Sequence, residues 1–297
     1  MVTLHIIIYL STAKKQQTMV VLIADSGSTK TDWTLIADGN KMTFHTQGLN
    51  PVHSNFSRIV GILEDELLPQ IPQKVDAVHF YGAGCLESAA HKMEAGLKTV
   101  LGDSCKVVDV QSDLVGAARA LFGHREGIAC ILGTGSNSGL YDGKNIVANV
   151  HPLGYILGDE GSGASIGKHF LNALYKGRLS PMLESCFQQE TGLTYDKVIE
   201  KVYCQPLANR FLATLVGFVS NHREECGRLL SEEFDLFIYR NVMPYSHKDL
   251  PVGIVGGVGY EFRQELKAAF SRHGLRVERI MGHPIDGLVS YHGEGNG

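Results

Sequence analysis

The sequence lacks the features that mark several common classes of protein. Its six cysteines form no Cys-x-x-Cys pair and no close Cys/His set, so the spacing of a structural zinc site or of a redox motif is missing. No cluster of Lys and Arg stands out, and the formal net charge is −4. A general nucleic-acid binder needs a basic surface, so we expect no nucleic-acid partner.

A long hydrophobic run is also missing at the start of the chain. The run Leu4–Leu10 has seven residues, which is too few to span a membrane. Lys14 and Lys15 follow it, on the wrong side for a signal peptide. We therefore expect residues 1–18 to be an N-terminal extension with Met19 as an alternative start, and a cytoplasmic protein with reduced thiols and no membrane contact.

The residues that are present are typical of a folded α/β protein. Hydrophobic residues make up 44% of the chain and charged residues 20%, as in globular domains, and 297 residues suffice for two domains. Strand-like runs at 75–81 and 105–110 alternate with a helix predicted over 87–101, which favours parallel pairing. Another helix is predicted from a Ser54 cap to about Leu68.

The stretch Val20–Ile36 is the first with possible chemistry. Apolar runs at both ends predict two buried strands joined by a tight polar loop. The loop offers the parts of a phosphate cradle, namely a glycine, two hydroxyls and a cation, in the order Gly27, Ser28, Thr29 and Lys30. Asp25 could hold a hydrated divalent metal. Taken alone, the stretch is equally compatible with a polar hairpin that has no chemical role.

A second copy of the same plan decides between these alternatives. Gly127–Leu132 is again apolar, Gly133–Gly139 is again polar and rich in glycine, and both copies reach a hairpin signal, at Asp38-Gly39 and at Asp142-Gly143. One glycine-rich loop is weak evidence. A repeated strand, phosphate-type turn and hairpin predicts two related lobes that face one nucleotide.

Asp113 is the carboxylate placed best for chemistry. It lies at the start of a helix predicted from about Gln111, just after the strand predicted at 105–110, and ligands of open α/β sheets bind at the carboxyl ends of such strands. The alternative is an acid in the first helical turn, which the helix dipole favours.

Two further glycine-rich stretches allow a close approach of backbone to a ligand. Gly154–Gly163 has four glycines in ten residues and precedes a helix predicted from Ala164. Gly256–Gly259 lies between a predicted strand and a helix predicted from Tyr260. The second stretch is also compatible with a helix that simply packs closely on a strand.

Six motifs in this order resemble the acetate and sugar kinase, heat-shock protein 70 and actin superfamily, specifically its N-acetylglucosamine kinase and BadF/BadG-type ATPase branch. They cover nearly everything after Met19, and they are Asp25-x-Gly27-x-Thr29-Lys30, Gly48-Leu49-Asn50-Pro51, Ser112-Asp113, Gly133-Thr134-Gly135-Ser136-Asn137, Gly154-x-x-x-Gly158-Asp159-Glu160-Gly161-Ser162-Gly163 and Gly256-Gly257-Val258-Gly259. The resemblance implies an α/β fold of two ribonuclease H-like lobes, the actin-like ATPase fold, with a nucleotide cleft between them.

The resemblance also implies a domain plan. Residues 19–115 would form the N-terminal lobe, closed by a C-terminal helix near 284–292, and residues 116–283 the C-terminal lobe, with a helical insertion near 180–246. The apolar positions of that insertion are expected to be core stripes without chemistry. The tail after Gly293 is expected to be frayed.

The site residues follow from the same resemblance. ATP and Mg²⁺ would be the cofactors, with Asp113 as the general base, Asp25 at the metal, and Glu160 as a candidate contributor to the metal environment. The phosphates would lie against Ser26, Gly27, Ser28, Thr29, Lys30, Gly133, Thr134 and Gly135, the adenosine against Gly256, Gly257 and Gly259, and an amino sugar against Asn50, Asn137, Gly154 and Asp159. For Asn50, turn chemistry before Pro51 is the alternative.

The expected activity is ATP-dependent phosphorylation of an amino sugar, foremost N-acetylglucosamine at its 6-hydroxyl. Glucosamine, N-acetylmannosamine and N-acetylmuramic acid remain open as substrates. A BadF-type ATPase that activates a partner protein is the main alternative, although the cysteine pattern for its iron–sulfur cluster is missing. A sugar-sensing regulator without catalysis is a third. The zinc-binding segment of the ROK sugar kinases is also missing, and by symmetry we expect a homodimer.

Overall fold

The computed structural model describes residues 19–27 and 29–293. The predicted extension at 1–18, Ser28 and the tail at 294–297 lie outside the described residues. No helix in this described part is both long and apolar enough to cross a membrane.

The first half of the chain builds a five-stranded mixed sheet. Its strands are β1 (Val21–Ser26), β2 (Lys30–Ala37), β3 (Asn40–Gln47), β4 (Ala77–Gly82) and β5 (Val107–Ser112). They lie in the order β3-β2-β1-β4-β5. The pairs β1–β2 and β2–β3 are antiparallel, whereas β1–β4 and β4–β5 are parallel.

The second half repeats this sheet strand for strand. Its strands are β6 (Glu126–Leu132), β7 (Ser136–Asp142), β8 (Ile146–Ala148), β9 (Val252–Val255) and β10 (Val277–Met281). Their order is β8-β7-β6-β9-β10, with the same sequence of two antiparallel and two parallel pairs. The predicted α/β fold of two related lobes is therefore confirmed.

Helices cover both sheets. In the first half they are α1 (Phe56–Ile62), α2 (Glu87–Leu101) and α3 (Asp113–Phe122). In the second half they are α4 (Gly154–Leu157), α5 (Gly163–Tyr175), α6 (Pro181–Thr191), α7 (Tyr195–Tyr203), α8 (Ala208–Thr214), α9 (Val216–Asn221), α10 (Gly227–Phe237), α11 (Gly257–Glu261), α12 (Arg263–Arg272) and α13 (Ile285–Gly293). Short π and 3-10 turns lie at 63–67, 68–70, 102–104, 238–242 and 243–245.

The two hairpins differ in detail. Asp38 and Gly39 both have positive φ, 50° and 77°, which is the two-residue turn that matches the twist of paired strands. The second hairpin has a longer loop in which the Asp142 carboxylate accepts hydrogen bonds from the amides of Lys144 and Asn145. The Asp-Gly pair thus predicts both hairpins correctly, but the two hairpins have different turns.

Local signals also misplace two helix starts by a residue or more. The cap of α1 is Asn55, whose side chain accepts a hydrogen bond from the Arg58 amide, rather than the predicted Ser54. Helix α11 begins at Gly257, so the turn predicted over Gly256–Gly259 is confined to Gly256.

Helix α3 lies between the two sheets. It starts directly after β5 of the first sheet, and its residues Leu114, Ala117 and Leu121 pack with Ala129 and Tyr141 of the second. The C-terminal helix α13 packs against β1 through Leu288 and Val289. The predicted boundary after residue 115 falls inside α3, and the division into residues 19–115 and 116–283 stays a prediction.

Candidate active site

A cavity of about 430 Å³ lies where the two lobes meet. It is lined by Gly27, Thr29 and Lys30 from the first glycine turn and by Gly133 and Thr134 from the second. Gly257 and Val258, at the start of α11, form a third wall. The structure thus brings together most of the residues that were predicted to hold phosphates. Ser28 lies outside the described residues.

Two carboxylates face each other at this cavity. Asp25 on β1 pairs in register with Asp32 on β2, so both side chains are on one face of the hairpin, and both line the cavity. Burial raises the pKa of Asp25 to about 7, with repulsion from Asp113 and Asp32 adding to the shift. The charge of Lys30 offsets only part of this shift, and a carboxylate of this kind favours a further cation as its neighbour.

Lys30 and Asp32 form an ion pair at the mouth of the cavity. The Lys30 Nζ lies 2.9 Å from Asp32 Oδ1, and His45 Nδ1 lies 2.7 Å from the same oxygen. Asp32 therefore holds Lys30 beside the glycine turn while leaving its ammonium group half exposed. No sequence motif marks Asp32 as a site residue. Pairing the hairpin outward from its turn would have placed it opposite Asp25.

Ser26 makes hydrogen bonds within its own lobe. Its hydroxyl is buried and accepts a hydrogen bond from the Leu49 amide at 3.0 Å, and it lies 2.7 Å from the Thr31 hydroxyl. These bonds occupy the hydroxyl within the protein, so it does not line the cavity. Ser26 instead fixes the loop that carries Asn50 against the end of β1.

Asp113 lies at the same sheet edge as Asp25. Because Ser26, Gly82 and Ser112 are register partners across β1, β4 and β5, the carboxyl ends of these parallel strands coincide. The Ser112 hydroxyl caps α3 by accepting a hydrogen bond from the Val115 amide, which places Asp113 in the first helical turn. Burial raises the pKa of Asp113, whereas a solvated first-turn acid would keep an ordinary value.

Asn50 shows the turn chemistry that was the alternative to sugar binding. Its side-chain oxygen accepts a hydrogen bond from the Val52 amide, and its carbonyl accepts from the amides of His53 and Ser54. Gly84, with φ of +78°, passes so close that a Cβ there would lie 2.4 Å from Asn50 Oδ1. The turn occupies the oxygen, whereas the amide nitrogen has no hydrogen bond within the described residues.

Asn137 and Asp159 belong to the opposite lobe. Asn137 shares a face of β7 with Gly139, and this face packs on Leu114 at the start of α3. Its side-chain oxygen accepts from the Ser138 amide and from Asn149. The structure therefore places Asn137 on the side of β7 that faces the α3 start.

Asp159 has an unusual backbone conformation. Its φ is +58°, a region that costs a residue with a side chain about 1–3 kcal/mol and that occurs often at functional sites. Its Oδ1 accepts from the Ser136 amide at 3.3 Å, and a Cβ on Gly135 would lie 3.0 Å from its Oδ2. Gly135 thus makes room for Asp159 instead of lining the cavity. Gly154, with φ of +72°, starts the exposed helix α4.

Glu160 is paired with residues of the helical insertion. Its carboxylate accepts hydrogen bonds from Arg240 at 2.7 Å and from Asn241 at 3.2 Å. Next to it, the Gly161 amide donates to the buried Glu233. The loop that carries Asp159 is therefore fixed to the helical insertion, and Glu160 is its anchor.

The last glycine motif combines the two alternatives considered for it. A Cβ on Gly259 would lie 2.7 Å from Ile254, so this glycine serves helix–strand packing. Gly256 has φ of +125°, and a Cβ there would lie 2.2 Å from the Leu132 carbonyl oxygen. Only Gly257 of the three lines the cavity.

We predict that Gly256→Ala lowers the free energy of unfolding by about 2–4 kcal/mol, because it adds backbone strain and a clash with the end of β6. Gly257→Ala is the matched control, since its Cβ would meet nothing within 4 Å and its φ is not positive. Urea denaturation of both variants checks this. Equal stability of the two would contradict the packing described for Gly256.

Comparison with solved structures shows the family. A crystal structure from Porphyromonas gingivalis, described as "the putative N-acetylglucosamine kinase", is 44% identical, and the match covers 93% of this chain and 100% of that chain with a TM-score of 0.90. The chain belongs to this N-acetylglucosamine kinase family. No family model matches the chain, and no curated protein does.

Two more distant structures share the fold of this kinase family. A protein from Chromobacterium violaceum with the same description is 20% identical, covering 92% of this chain and 98% of that chain with a TM-score of 0.70. The ethanolamine utilization protein EutJ from Carboxydothermus hydrogenoformans is 14% identical, with coverage of 91% and 86% and a TM-score of 0.52. At these identities the two structures show a shared fold that extends over nearly the whole chain.

The kinase-family site contains residues that the sequence analysis missed. Besides Asp32, the cavity is lined by Ala213, Val216 and His283. The first two lie on helices whose apolar positions were expected to be core only. His283 follows β10, where no motif marked it.

The carboxylates of this kinase-family site suit one kind of metal. Within the described residues, no group of three or more His, Cys, Asp or Glu side chains is placed to hold a metal ion. Mg²⁺ is commonly held by one or two carboxylates together with substrate phosphates and water. Asp25, with Asp32 opposite, therefore fits a magnesium ion that arrives with a nucleotide.

Proposed function

We propose that the protein is an ATP-dependent kinase that phosphorylates an amino sugar, foremost N-acetylglucosamine at its 6-hydroxyl. The observation that carries this proposal is the cavity to which the glycine turns of both lobes contribute, with Asp25 at its edge and Asp113 close enough to raise the pKa of Asp25. The 44% identical relative supports the substrate class.

Residues of both lobes would bind the nucleotide. Gly27, Thr29 and Lys30 would hold the terminal phosphates from one side, and Gly133 and Thr134 from the other. Asp25 would hold Mg²⁺ through water, and the bound ion would supply charge neutralisation between the phosphates. Gly257 and Val258 would border the nucleoside.

Asp113 would receive the proton of the sugar hydroxyl. A carboxylate whose pKa is raised by burial is better matched to this task than a solvated one. Asn137, Asp159 and the amide nitrogen of Asn50 would orient the sugar. Most of the rate enhancement in phosphoryl transfer comes from such positioning and from charge neutralisation.

A panel of amino sugars tests the proposal. ADP release from ATP and Mg²⁺ should increase at least about 100-fold when N-acetylglucosamine is present, since water is a poorly positioned acceptor in the same site. Faster ADP release with glucosamine, N-acetylmannosamine or N-acetylmuramic acid would identify a different preferred substrate. Turnover that is equal with and without every sugar would reject the kinase and favour an ATPase that acts on a partner protein. The expected homodimer and cytoplasmic location stay predictions.

We predict that Lys30→Ala weakens ATP binding about 10- to 100-fold and sugar binding little, because a charge-assisted hydrogen bond to phosphate contributes about 1.5–3 kcal/mol. Lys41→Ala on the exposed edge strand β3 is the matched control. Calorimetric titrations with ATP and with sugar check this. A larger loss of sugar affinity than of ATP affinity would show that Lys30 does not act by binding phosphate.

A further inference from the structure

A second, smaller cavity lies at the opposite end of helix α3 from Asp113. Its volume is about 180 Å³, and its charged lining residues are Arg119, Arg125 and Arg279. No Asp or Glu of the described residues lines it. Its walls come from α3, from strand β10 and from the C-terminal helix α13. Three guanidinium groups around a cavity of this size make an unusually positive local environment.

Arg119 is fixed in position but only partly paired. Its Nη1 donates to the Tyr81 hydroxyl at 2.8 Å and lies 3.4 Å from Asp109. Its guanidinium carbon lies 5.7 Å and 5.3 Å from the ring centroids of Tyr81 and Tyr291. The Nε atom is buried and has no hydrogen-bond partner among the described residues. A buried donor without a partner is energetically costly.

Arg279 has no carboxylate partner in the part of the chain that the structure describes. Its one hydrogen bond within the described residues goes to the Ala120 carbonyl, at 3.4 Å. A shift of register in the β9–β10 pairing lies between Val277 and Arg279, and irregularities of this kind redirect side chains. Glu278, in the same irregularity, pairs with Arg125 at 2.7 Å.

Capping of the C-terminal end of α3 does not explain why three arginines lie there. Cations are favourable at a helix C-terminus, but most carbonyls there have other donors. The Arg119 carbonyl accepts from the Gly123 amide, that of Phe122 from the Arg125 amide, and that of Gly123 from the Tyr141 hydroxyl. Among the described residues, only the Ala120 carbonyl accepts a hydrogen bond from an arginine side chain at this helix end. The remaining guanidinium donors are therefore in excess of what the helix end needs.

We propose that this cavity binds a phosphoryl group, either as inorganic phosphate or as the phosphate of a phosphomonoester. Guanidinium groups match phosphate oxygens in geometry and charge. The volume accommodates one phosphoryl group, with the rest of an ester in solvent. The proposal does not depend on the proposed reaction. The cavity is of interest because it lies at one end of α3. This ten-residue helix is about 15 Å long and carries Asp113 at its other end.

Calorimetric titration of the full chain with inorganic phosphate, at constant ionic strength set with chloride, tests the proposal. Arg279→Gln and Arg125→Gln change exposed residues, so both variants are expected to fold. Each should weaken phosphate binding about tenfold, which corresponds to the loss of one charge-assisted hydrogen bond. A parallel titration with a hexosamine 6-phosphate shows whether free phosphate or the ester is preferred.

Two controls separate this cavity from other anion sites. Lys30→Ala removes a cation from the cleft between the lobes and should leave the arginine-dependent binding unchanged. Arg228→Gln removes an exposed arginine that pairs with Glu232, and it too should bind like the wild type. Wild-type affinity in both cavity variants, no binding of either probe, or an equal loss in Lys30→Ala would each overturn the proposal.

Discussion

Asp113→Asn should lower the turnover number by about 10²- to 10⁴-fold, because the amide cannot accept the proton of the attacking hydroxyl. Nucleotide affinity should stay nearly unchanged, since Asp113 does not line the cavity between the glycine turns. The structure supports this separation by placing Asp113 at the end of β5, beside Asp25 but on a different element. Steady-state kinetics together with ATP titration measure both quantities.

The control for Asp113 is another acid in the first turn of a helix. Asp196 occupies that position in α7 and is exposed, so Asp196→Asn changes only the interaction with a helix dipole. Its turnover should equal that of the wild type. Wild-type turnover in Asp113→Asn as well would remove Asp113 from the mechanism and leave it as an ordinary helix-start acid.

Asp25→Asn should have opposite effects on stability and on function. In the ligand-free protein the pKa of Asp25 is about 7, above its ordinary value of 3.8, so the folded state binds a proton that the unfolded state has lost. Stability therefore decreases as pH rises from about 4 to about 7. The neutral amide avoids this penalty and should raise the free energy of unfolding at about pH 8 by up to about 4 kcal/mol. The same variant should lose most of its Mg²⁺-dependent affinity for ATP.

Urea denaturation at about pH 8 and about pH 5 measures the stability effect. The gain from Asp25→Asn should shrink at the lower pH, where the wild-type carboxyl is already protonated. Asp109→Asn is a control of opposite sign. Although burial opposes ionisation, hydrogen bonds from His79 and Gln111 and the charge of Arg119 lower the pKa of Asp109 to about 2. This variant should be less stable at neutral pH. Equal stability of Asp25→Asn and the wild type at both pH values would contradict the raised pKa assigned to Asp25.

The repeated pattern in the sequence was sufficient to predict the architecture. Two apolar strands around a glycine turn, each followed by an Asp-Gly signal, appear in the structure as β1–β3 and β6–β8 of two equivalent sheets. Such patterns are local, and they determine element type and order directly. The same locality explains why Gly27, Lys30 and Thr134 could be chosen in advance.

Other features depend on contacts between distant residues. The sequence does not show that the Ser26 hydroxyl is occupied by Leu49, or that Glu160 is held by Arg240, eighty residues later. Gly135 and Gly259 looked like ligand-facing glycines, yet each makes room for a neighbouring side chain. A motif identifies residues that need a special backbone, but only the packing shows which neighbour requires it.

The central claim is that one triphosphate lies against the glycine turns of both lobes. The most direct test is a crystal structure of the protein with Mg²⁺ and a non-hydrolysable ATP analogue. We expect phosphate oxygens within about 3.5 Å of backbone amides or side chains from both Gly27–Lys30 and Gly133–Thr134, with the metal beside Asp25. A nucleotide that contacts only one of the turns, or that binds outside the cavity between them, would contradict the account.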